Sequence, residues 1–500
     1  MPSLPVPLFD NISVVLPMAI TFAWAIVLLV LDLFIDNKRI VGYLAIAGLI
    51  VAAVAGLFPQ GANAGTFIDP TSGASMIVLD TFALSIALTV IGGAIITILL
   101  ALDYLPRQGI ERGEFYPLLL FATGAMLLLA QGNDLIVLFL GLELLSIVLY
   151  ILAGFAYPRL ASEEAAMKYL IFGAFATGFL VFAIALIYGA TGLSNLQLIA
   201  RVAPTLAAGD QALLLAGATL VLIGFGYKIS MVPFHMWTPD VYEGSPTPVT
   251  AFMSVAVKGA AFAALTRFLL VAVGAPIETA IWVPAVAVLA ALTMIVGNFT
   301  AVVQMNVKRM LAYSSVGHAG YLLMAVVGAG AVTTGVGRDT GVQSLLFYLI
   351  AYSLANLAAF GVLIALEKRG EAAWSLDDLA GLYNRAPGLA IAMALAMLSL
   401  AGMPLTAGFA GKLYVFSAAW QAGYGWLTLV GVVTSAISAF FYLRVIMQMF
   451  TRNAVRDVQI RAGGGLAVAL MIAVIGILIV GIVPGPVVTF VQSAGLALVP

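Results

Sequence analysis

The chain alternates between long apolar runs and short polar connectors. Runs near 20 residues, the length a helix needs to cross a bilayer's hydrocarbon core, fall at 11–33, 40–58, 76–102, 114–131, 134–154, 164–190, 211–231, 247–273, 278–301, 307–329, 341–366, 387–420, 425–450 and 464–492. They predict an all-α polytopic membrane protein of about 14 transmembrane helices. The first run has no Lys or Arg before it and no small-residue cleavage site close behind it. It reads as a retained helix and not as a signal peptide.

Two of the runs are interrupted. Lys228 precedes Met231–Val232–Pro233–Phe234–His235–Met236–Trp237, and Lys412 follows Ala401–Gly402–Met403–Pro404–Leu405–Thr406–Ala407–Gly408. Proline removes a backbone donor, and backbone groups freed at membrane depth survive only where protein buries them or a wet cavity receives them. Helices 7 and 12 are therefore predicted to be broken, each with a lysine beside the break. A packing kink would explain one such break, but two with lysines point to an ion path.

The breaks suggest a repeat. Pro233 and Pro404 interrupt helices 7 and 12, 171 positions apart; Gly132–Asn133 and Gly297–Asn298, expected to open helices 5 and 10, are 165 apart; Tyr169–Leu170–Ile171 and Tyr348–Leu349–Ile350, in helices 6 and 11, are 179 apart. The matches keep one order and lie five helices apart. Five is odd, so matched helices run in opposite directions, as in the inverted repeats of secondary transporters. The expected organisation is an N-terminal three-helix segment (1–112), two inverted five-helix repeats (113–274 with helices 4–8, and 275–452 with helices 9–13), and a C-terminal helix (453–500).

Composition narrows the chemistry. Charged residues make up 9% of the chain and hydrophobic ones 63%, against roughly 25% charged in soluble domains. The net charge of -1 offers no basic face to nucleic acid. Without cysteine there are no disulfides, no thiolate-held zinc and no thiolate-held iron–sulfur clusters in this chain. Two histidines give little support for haem. Any linked redox chemistry is expected in a partner.

Loops after odd-numbered helices hold Lys38, Arg39, Arg107, Arg112, Arg159, Lys308, Arg309, Lys368, Arg369, Arg385, Arg452, Arg456 and Arg461. Loops after even-numbered ones hold only Arg201 and Arg338. The positive-inside rule then places both termini outside. Six cations remain within spans: Lys168, Lys228, Lys258, Arg267, Lys412 and Arg444. Glu143 is the one carboxylate near the middle of a run. A charge at the bilayer centre costs ~2.5–3.5 kcal/mol on insertion scales. Arg267 and Arg444 lie near helix ends and read as snorkelling. Lys168 is balanced between snorkelling and function. Glu143, Lys228, Lys258 and Lys412 have apolar sequence on both sides and read as functional.

The segment Tyr227–Lys228–Ile229–Ser230–Met231–Val232–Pro233–Phe234–His235–Met236–Trp237–Thr238–Pro239–Asp240–Val241–Tyr242–Glu243–Gly244 resembles the signature of the antiporter-like subunits of respiratory complex I. Similar matches are Gly141–Leu142–Glu143–Leu144, Asn306–Val307–Lys308–Arg309–Met310–Leu311–Ala312–Tyr313–Ser314–Ser315 and Gly408–Phe409–Ala410–Gly411–Lys412. The resemblance covers essentially the whole chain. Of the family's three types, L adds a long C-terminal amphipathic helix and M carries a glutamate at the position of Lys412. This chain is most similar to the N type.

The resemblance implies a proton path, with Glu143 and Lys228 paired in the first half-channel, Lys258 as central bridge and Lys412 as terminal site. Lys168, His235 and His318 are similar to supporting residues of the family, although a structural histidine is as plausible for either imidazole. It further implies that NADH, FMN, iron–sulfur clusters and quinone belong to partner subunits, including paralogous antiporter-like ones, in a bacterial inner membrane. No cofactor or metal is expected in this chain. Physically, a lysine parted from its carboxylate inside an apolar site passes its proton onward, so alternating pairing gives direction. The competing readings are an Mrp-type monovalent cation/proton antiporter subunit, which needs a sodium or potassium site, and an inert membrane scaffold, which has no use for four deep ionisable groups.

Overall fold

The structure is a computed structural model that describes residues 11–58, 64–68, 72–332, 336–367, 374–454, 460 and 463–493. Lys368, Arg369, Arg456 and Arg461 of the loop cations, and both chain ends, lie outside the described residues. In order, the first elements are α1 (Leu16–Leu31), α2 (Lys38–Leu57), a hairpin of β1 (Ala64–Ile68) and β2 (Ser75–Leu79), α3 (Thr81–Gln108), α4 (Phe115–Gln131) and α5 (Leu135–Ala153). Then come α6 (Leu160–Thr191), α7 (Leu196–Val202), α8 (Ala208–Lys228), α9 (Trp237–Gly244), α10 (Thr247–Ala272), α11 (Pro276–Val302) and α12 (Val307–Ala331). The last are α13 (Val336–Leu366), α14 (Leu382–Arg385), α15 (Pro387–Ala401), α16 (Ala407–Gln421), α17 (Gly425–Thr451), α18 (Gly464–Ile482) and α19 (Gly485–Ser493).

Twelve helices among the described residues are long and apolar enough to cross a membrane, and α4 and α15 are shorter apolar helices. The protein is thus polytopic and mostly helical. Burial sorts the helices: α10 is buried along its whole length and α12 and α13 nearly so, whereas α1 and α6 keep most of their surface free. A helix that is apolar all round serves both as a lipid-facing rim and as an interior column. The three interior columns carry buried polar residues, among them Lys258, His318 and Asn356.

Connectors gather at two ends. At one, Ser75 O accepts Asn133 Nδ2 and Asn195 Nδ2, each at 2.9 Å, so the hairpin ties together the turns before α5 and α7. The apolar runs gave no sign of the hairpin, because β2 lies against the start of α3 and reads as part of a longer apolar stretch. At the cation-rich end, Arg309 bonds Asp240 and Glu243, both at 2.8 Å, and Asn306 bonds Glu243 at 2.7 Å.

Both predicted breaks are present. The chain leaves helix after Lys228 and resumes at Trp237, and leaves it after Ala401 and resumes at Ala407. The two exits close alike: Met231 N–H bonds Gly226 O at 2.8 Å and Met403 N–H bonds Leu398 O at 2.9 Å, around Ser230 (φ 64°) and Gly402 (φ 83°) in left-handed conformation. This is the wide six-to-one closure of a helix end. One sequence match needs correcting. Gly297–Asn298 does not open a helix; it lies inside α11, where Asn298 Nδ2 bonds Met294 O at 2.8 Å. Asp134 caps α5 and Asn306 caps α12, each by accepting a backbone N–H of the first turn.

Arg267 does not snorkel. Its guanidinium grips Asp80 through two bonds of 2.7 and 3.0 Å and also reaches Ala130 O, with both side chains out of solvent. Asp80 in turn caps α3 by accepting Ala83 N–H at 2.7 Å. The partner lies 187 positions away, so helix-end proximity was the only visible clue and it misled. Arg444 bonds Gln304 O at 2.6 Å.

Candidate functional site

Each deep lysine sits where helical order is interrupted. Lys228 is the last residue of α8. Lys412 lies in the second turn of α16 and reaches back across the break to Ala401 O at 2.9 Å, one of the carbonyls the break frees. Lys258 follows a π-helical stretch, Met253–Val257, within α10. Such bulges are rare and concentrate at functional sites. Lys258 is 11 residues past Thr247, roughly 16 Å along the helix, which puts it near mid-span.

Lys228 sits among aromatic rings. Lys228 Nζ donates to Tyr169 Oη at 3.2 Å and lies 4.6, 5.6 and 5.8 Å from the ring centres of Tyr169, Tyr150 and Tyr227. Tyr169 stacks on Trp237, the first residue after the break, at 4.6 Å. Rings turn their negative faces to a cation, so the cage holds an ammonium without a carboxylate. Glu143, half-buried on α5, accepts instead from Thr177 Oγ1 at 2.5 Å. The expected Glu143–Lys228 pair is not closed here; Tyr150 stands beside Lys228 from the same helix as Glu143.

From Lys258 a series of hydrogen bonds and ring contacts leads to Lys412. Lys258 Nζ donates to Ser315 O, and to Ser315 Oγ at 2.6 Å; Tyr352 Oη donates to the same Oγ at 2.9 Å. Tyr352 and His318 pack ring against ring at 4.9 Å. The His318 imidazole bonds Tyr348 Oη at 2.7 Å through Nδ1 and Tyr442 Oη at 3.1 Å through Nε2. Tyr321 packs edge-on to His318 at 5.7 Å, and Lys412 Nζ lies 5.1 Å from the Tyr321 ring centre. Lys412 finally donates to Ser435 Oγ at 2.8 Å. Hydroxyl and imidazole groups both donate and accept, so this run is built from groups able to hand a proton on.

Among the described residues, none of Lys228, Lys258 and Lys412 takes part in an ion pair, and all three are buried. A buried ammonium held only by carbonyls, hydroxyls and rings is costly. Three of them, on α8, α10 and α16, serve no packing purpose.

The structure brings Lys258, His318 and Lys412 together and leaves Lys168 and His235 apart. Lys168 bonds Glu164 at 2.6 Å and Asp240 at 2.8 Å in the half-exposed cluster with Arg309. The Asp240 carboxyl is pushed up by partial burial, but hydrogen bonds from Lys168 and Arg309 hold it below its ordinary value. His235 is half-buried in the first break, and its Nδ1 has no partner among the described residues.

The chain pattern missed the tyrosines. Tyr169 and Tyr348, which stand in the matched tripeptides, touch Lys228 and His318 respectively; Tyr150, Tyr321, Tyr352 and Tyr442 give no signal, because a tyrosine in an apolar run reads as core. Lys308 was placed in a loop, yet it is buried at the start of α12, bonded to Ser245 O at 2.8 Å and 4.2 Å from the Trp374 ring centre.

Residues 132–438 match the family described as NADH:quinone oxidoreductase/Mrp antiporter, TM. The NADH-quinone oxidoreductase subunit N 2 of Roseiflexus castenholzii is 56% identical, over 96% of this chain and 95% of its own. A chain of respiratory complex I from Thermus thermophilus with bound aureothin superimposes with TM-score 0.78 at 35% identity, covering 95% of this chain and 98% of that one. A chain of the Mrp complex from Dietzia sp. shares the fold, with TM-score 0.81 at 21% identity and 97% of each chain covered.

Proposed function

The chain belongs to the NADH:quinone oxidoreductase/Mrp antiporter membrane family, and from that premise we propose that it is the N-type, proton-translocating subunit of a bacterial NADH–quinone oxidoreductase. Protons move along Glu143, Lys228, Lys258, His318 and Lys412, driven by redox chemistry in partner subunits that hold NADH, FMN, iron–sulfur clusters and quinone. The observation that carries the proposal is the run from Lys258 through Ser315, Tyr352, His318 and Tyr321 to Lys412, in which every member is buried and each meets the next by a hydrogen bond or a ring contact.

The architecture we propose counts α4 and the broken pair α15–α16 as crossings, giving 14, with both termini outside. It arranges 113–274 and 275–452 as inverted repeats flanked by segments 1–112 and 453–500. The like-built helix exits at Ser230 and Gly402 support it. So do the caps at Asp134 and Asn306.

In mechanism, Glu143 at Thr177 and Lys228 in its ring cage are one state of a switch. Closing the pair would hold a proton on Lys228; opening it leaves the ammonium without a counter-ion and drives the proton toward Lys258. His318 then relays between Lys258 and Lys412, since both of its nitrogens are bonded to hydroxyls. Lys168 stands at the cation-rich end as part of the mouth, and His235 as a wetting group in the break.

Vesicles holding the whole complex with Lys258→Ala in this chain should oxidise NADH with a lower proton yield per NADH, or turn over more slowly. Unchanged yield and rate would reject the path. If the same vesicles instead carried out sodium- or potassium-dependent proton exchange without NADH, the antiporter reading would replace this one.

A further inference from the structure

We propose that Glu367 is the proton-loading group of this chain, and that one face of α10 carries the proton from it to Lys258. The inference rests on the proton-path reading above and adds to it the route from the cation-rich end.

A polar cleft of about 240 Å³ opens at that end between Lys168, Asp240, Glu243 and Arg309, with Trp374 in its wall. Trp374 Nε1 bonds Glu367 Oε1 at 2.7 Å, so the carboxylate sits directly behind the indole. Glu367 is buried at 2% exposure, and among the described residues it has no ion-pair partner. It is held by Trp374 and by the hydroxyl of Thr247, the first residue of α10. The Lys308 ammonium, which also meets this indole, faces the Trp374 ring and Ser245 O. A carboxylate buried at the foot of a wholly buried helix does nothing for packing.

From Thr247 the polar residues of α10 follow at Thr250, Ser254 and Lys258. Spacings of three and four put successive side chains on one face, about 5–6 Å apart at Cβ, a gap that one water closes between two hydroxyls. Asn356 on α13 covers the upper half of this stripe. Its Nδ2 bonds Ser254 Oγ at 2.5 Å and Tyr352 Oη at 3.1 Å, and Tyr352 shares Ser315 Oγ with Lys258. The Asn356 Oδ1 is buried without a partner among the described residues and points to a water at this step. The balance is simple: one proton from the cleft neutralises the Glu367 carboxylate, and the same proton leaves it along the hydroxyls to end on the Lys258 amine.

The test uses vesicles of the whole complex with the cation-rich face outward, carrying Glu367→Gln, Glu367→Asp or Lys258→Ala, all checked for assembly. Glu367→Gln should lose proton uptake to the level of Lys258→Ala. Glu367→Asp should keep most of it, with the pH profile of uptake displaced. Formic acid added outside, a small carrier of protons, should restore uptake to Glu367→Gln and leave Lys258→Ala unrestored. If Lys258→Ala is silent, the underlying proton path fails. If Lys258→Ala loses uptake while Glu367→Gln keeps it, this loading route alone is overturned. Should Glu367→Gln not assemble, Ser254→Ala paired with Asn356→Leu tests the same stripe: retained uptake rejects it and lost uptake supports it.

Discussion

Replacing Asp80 tests how the central column is anchored. Arg267 lies nine residues beyond Lys258 on α10, and its two bonds to Asp80 are the charge–charge tie between that helix and α3. Both side chains are essentially unexposed, so removing one partner strands a buried charge. Breaking such a pair costs about 3–5 kcal/mol. Asp80→Asn keeps an oxygen for the Ala83 amide and should lose about that much. Asp80→Ala also loses the helix cap, about 1 kcal/mol more, for a total near 4–6 kcal/mol. The double change Asp80→Ser with Arg267→Met keeps a capping oxygen and removes both charges, so it should be more stable than either single change that breaks the pair. The assay is reversible unfolding of the purified subunit in mixed micelles titrated with SDS, followed by tryptophan emission and helical circular dichroism. If Asp80→Asn falls within about 1 kcal/mol of wild type, or the double change is as unstable as Asp80→Ala, the pair does not anchor α10.

His318→Phe keeps the ring but loses both hydroxyl contacts, and proton uptake by the complex should slow by at least about tenfold, as removal of a positioned proton-transfer group does; uptake kinetics in vesicles decide it. At Gly173 an added Cβ would lie 1.9 Å from Tyr150 Oη, so Gly173→Ala should push Tyr150 out of the Lys228 cage and lower proton yield, while Gly178→Ala, with open space around it, should not. A Cβ at Gly297 would meet Gly317 N at 2.4 Å, so Gly297→Ala should part α11 from α12 and reduce subunit retention in detergent. Asp240 is held below its ordinary value by Lys168 and Arg309, so its stabilisation is complete above the unfolded carboxylate's ~3.9 and fades as pH falls through the lower folded value. Thermal melts of Asp240→Asn should therefore trail wild type across neutral pH and converge with it only below about pH 4.

The spans, both breaks and the deep lysines were legible along the chain because each is local: twenty apolar residues, a proline, a charge with apolar neighbours. What pairs with what was not. Asp80 and Arg267 are 187 positions apart, and neither carries a mark of the other. Lys308 reads as a loop charge beside Arg309, and Glu367 falls just past the apolar run 341–366; folding buries both. Tyrosines in apolar runs are silent until a lysine is seen beside them. The histidines divided: His318 bonds Tyr348 and Tyr442 in the run from Lys258 to Lys412, whereas His235 is half-buried in the first break, a distinction that rests on helix packing and not on spacing.

The measurement that bears most directly on the central claim is proton uptake per NADH oxidised by vesicles holding the complex with Glu143→Gln in this chain. Loss of pumping, with or without loss of NADH–quinone turnover, is the expected result, because a neutral side chain beside Thr177 can no longer draw the Lys228 ammonium. Normal turnover with an unchanged proton ratio in an assembled complex would contradict it and leave the buried lysines without the switch proposed for them.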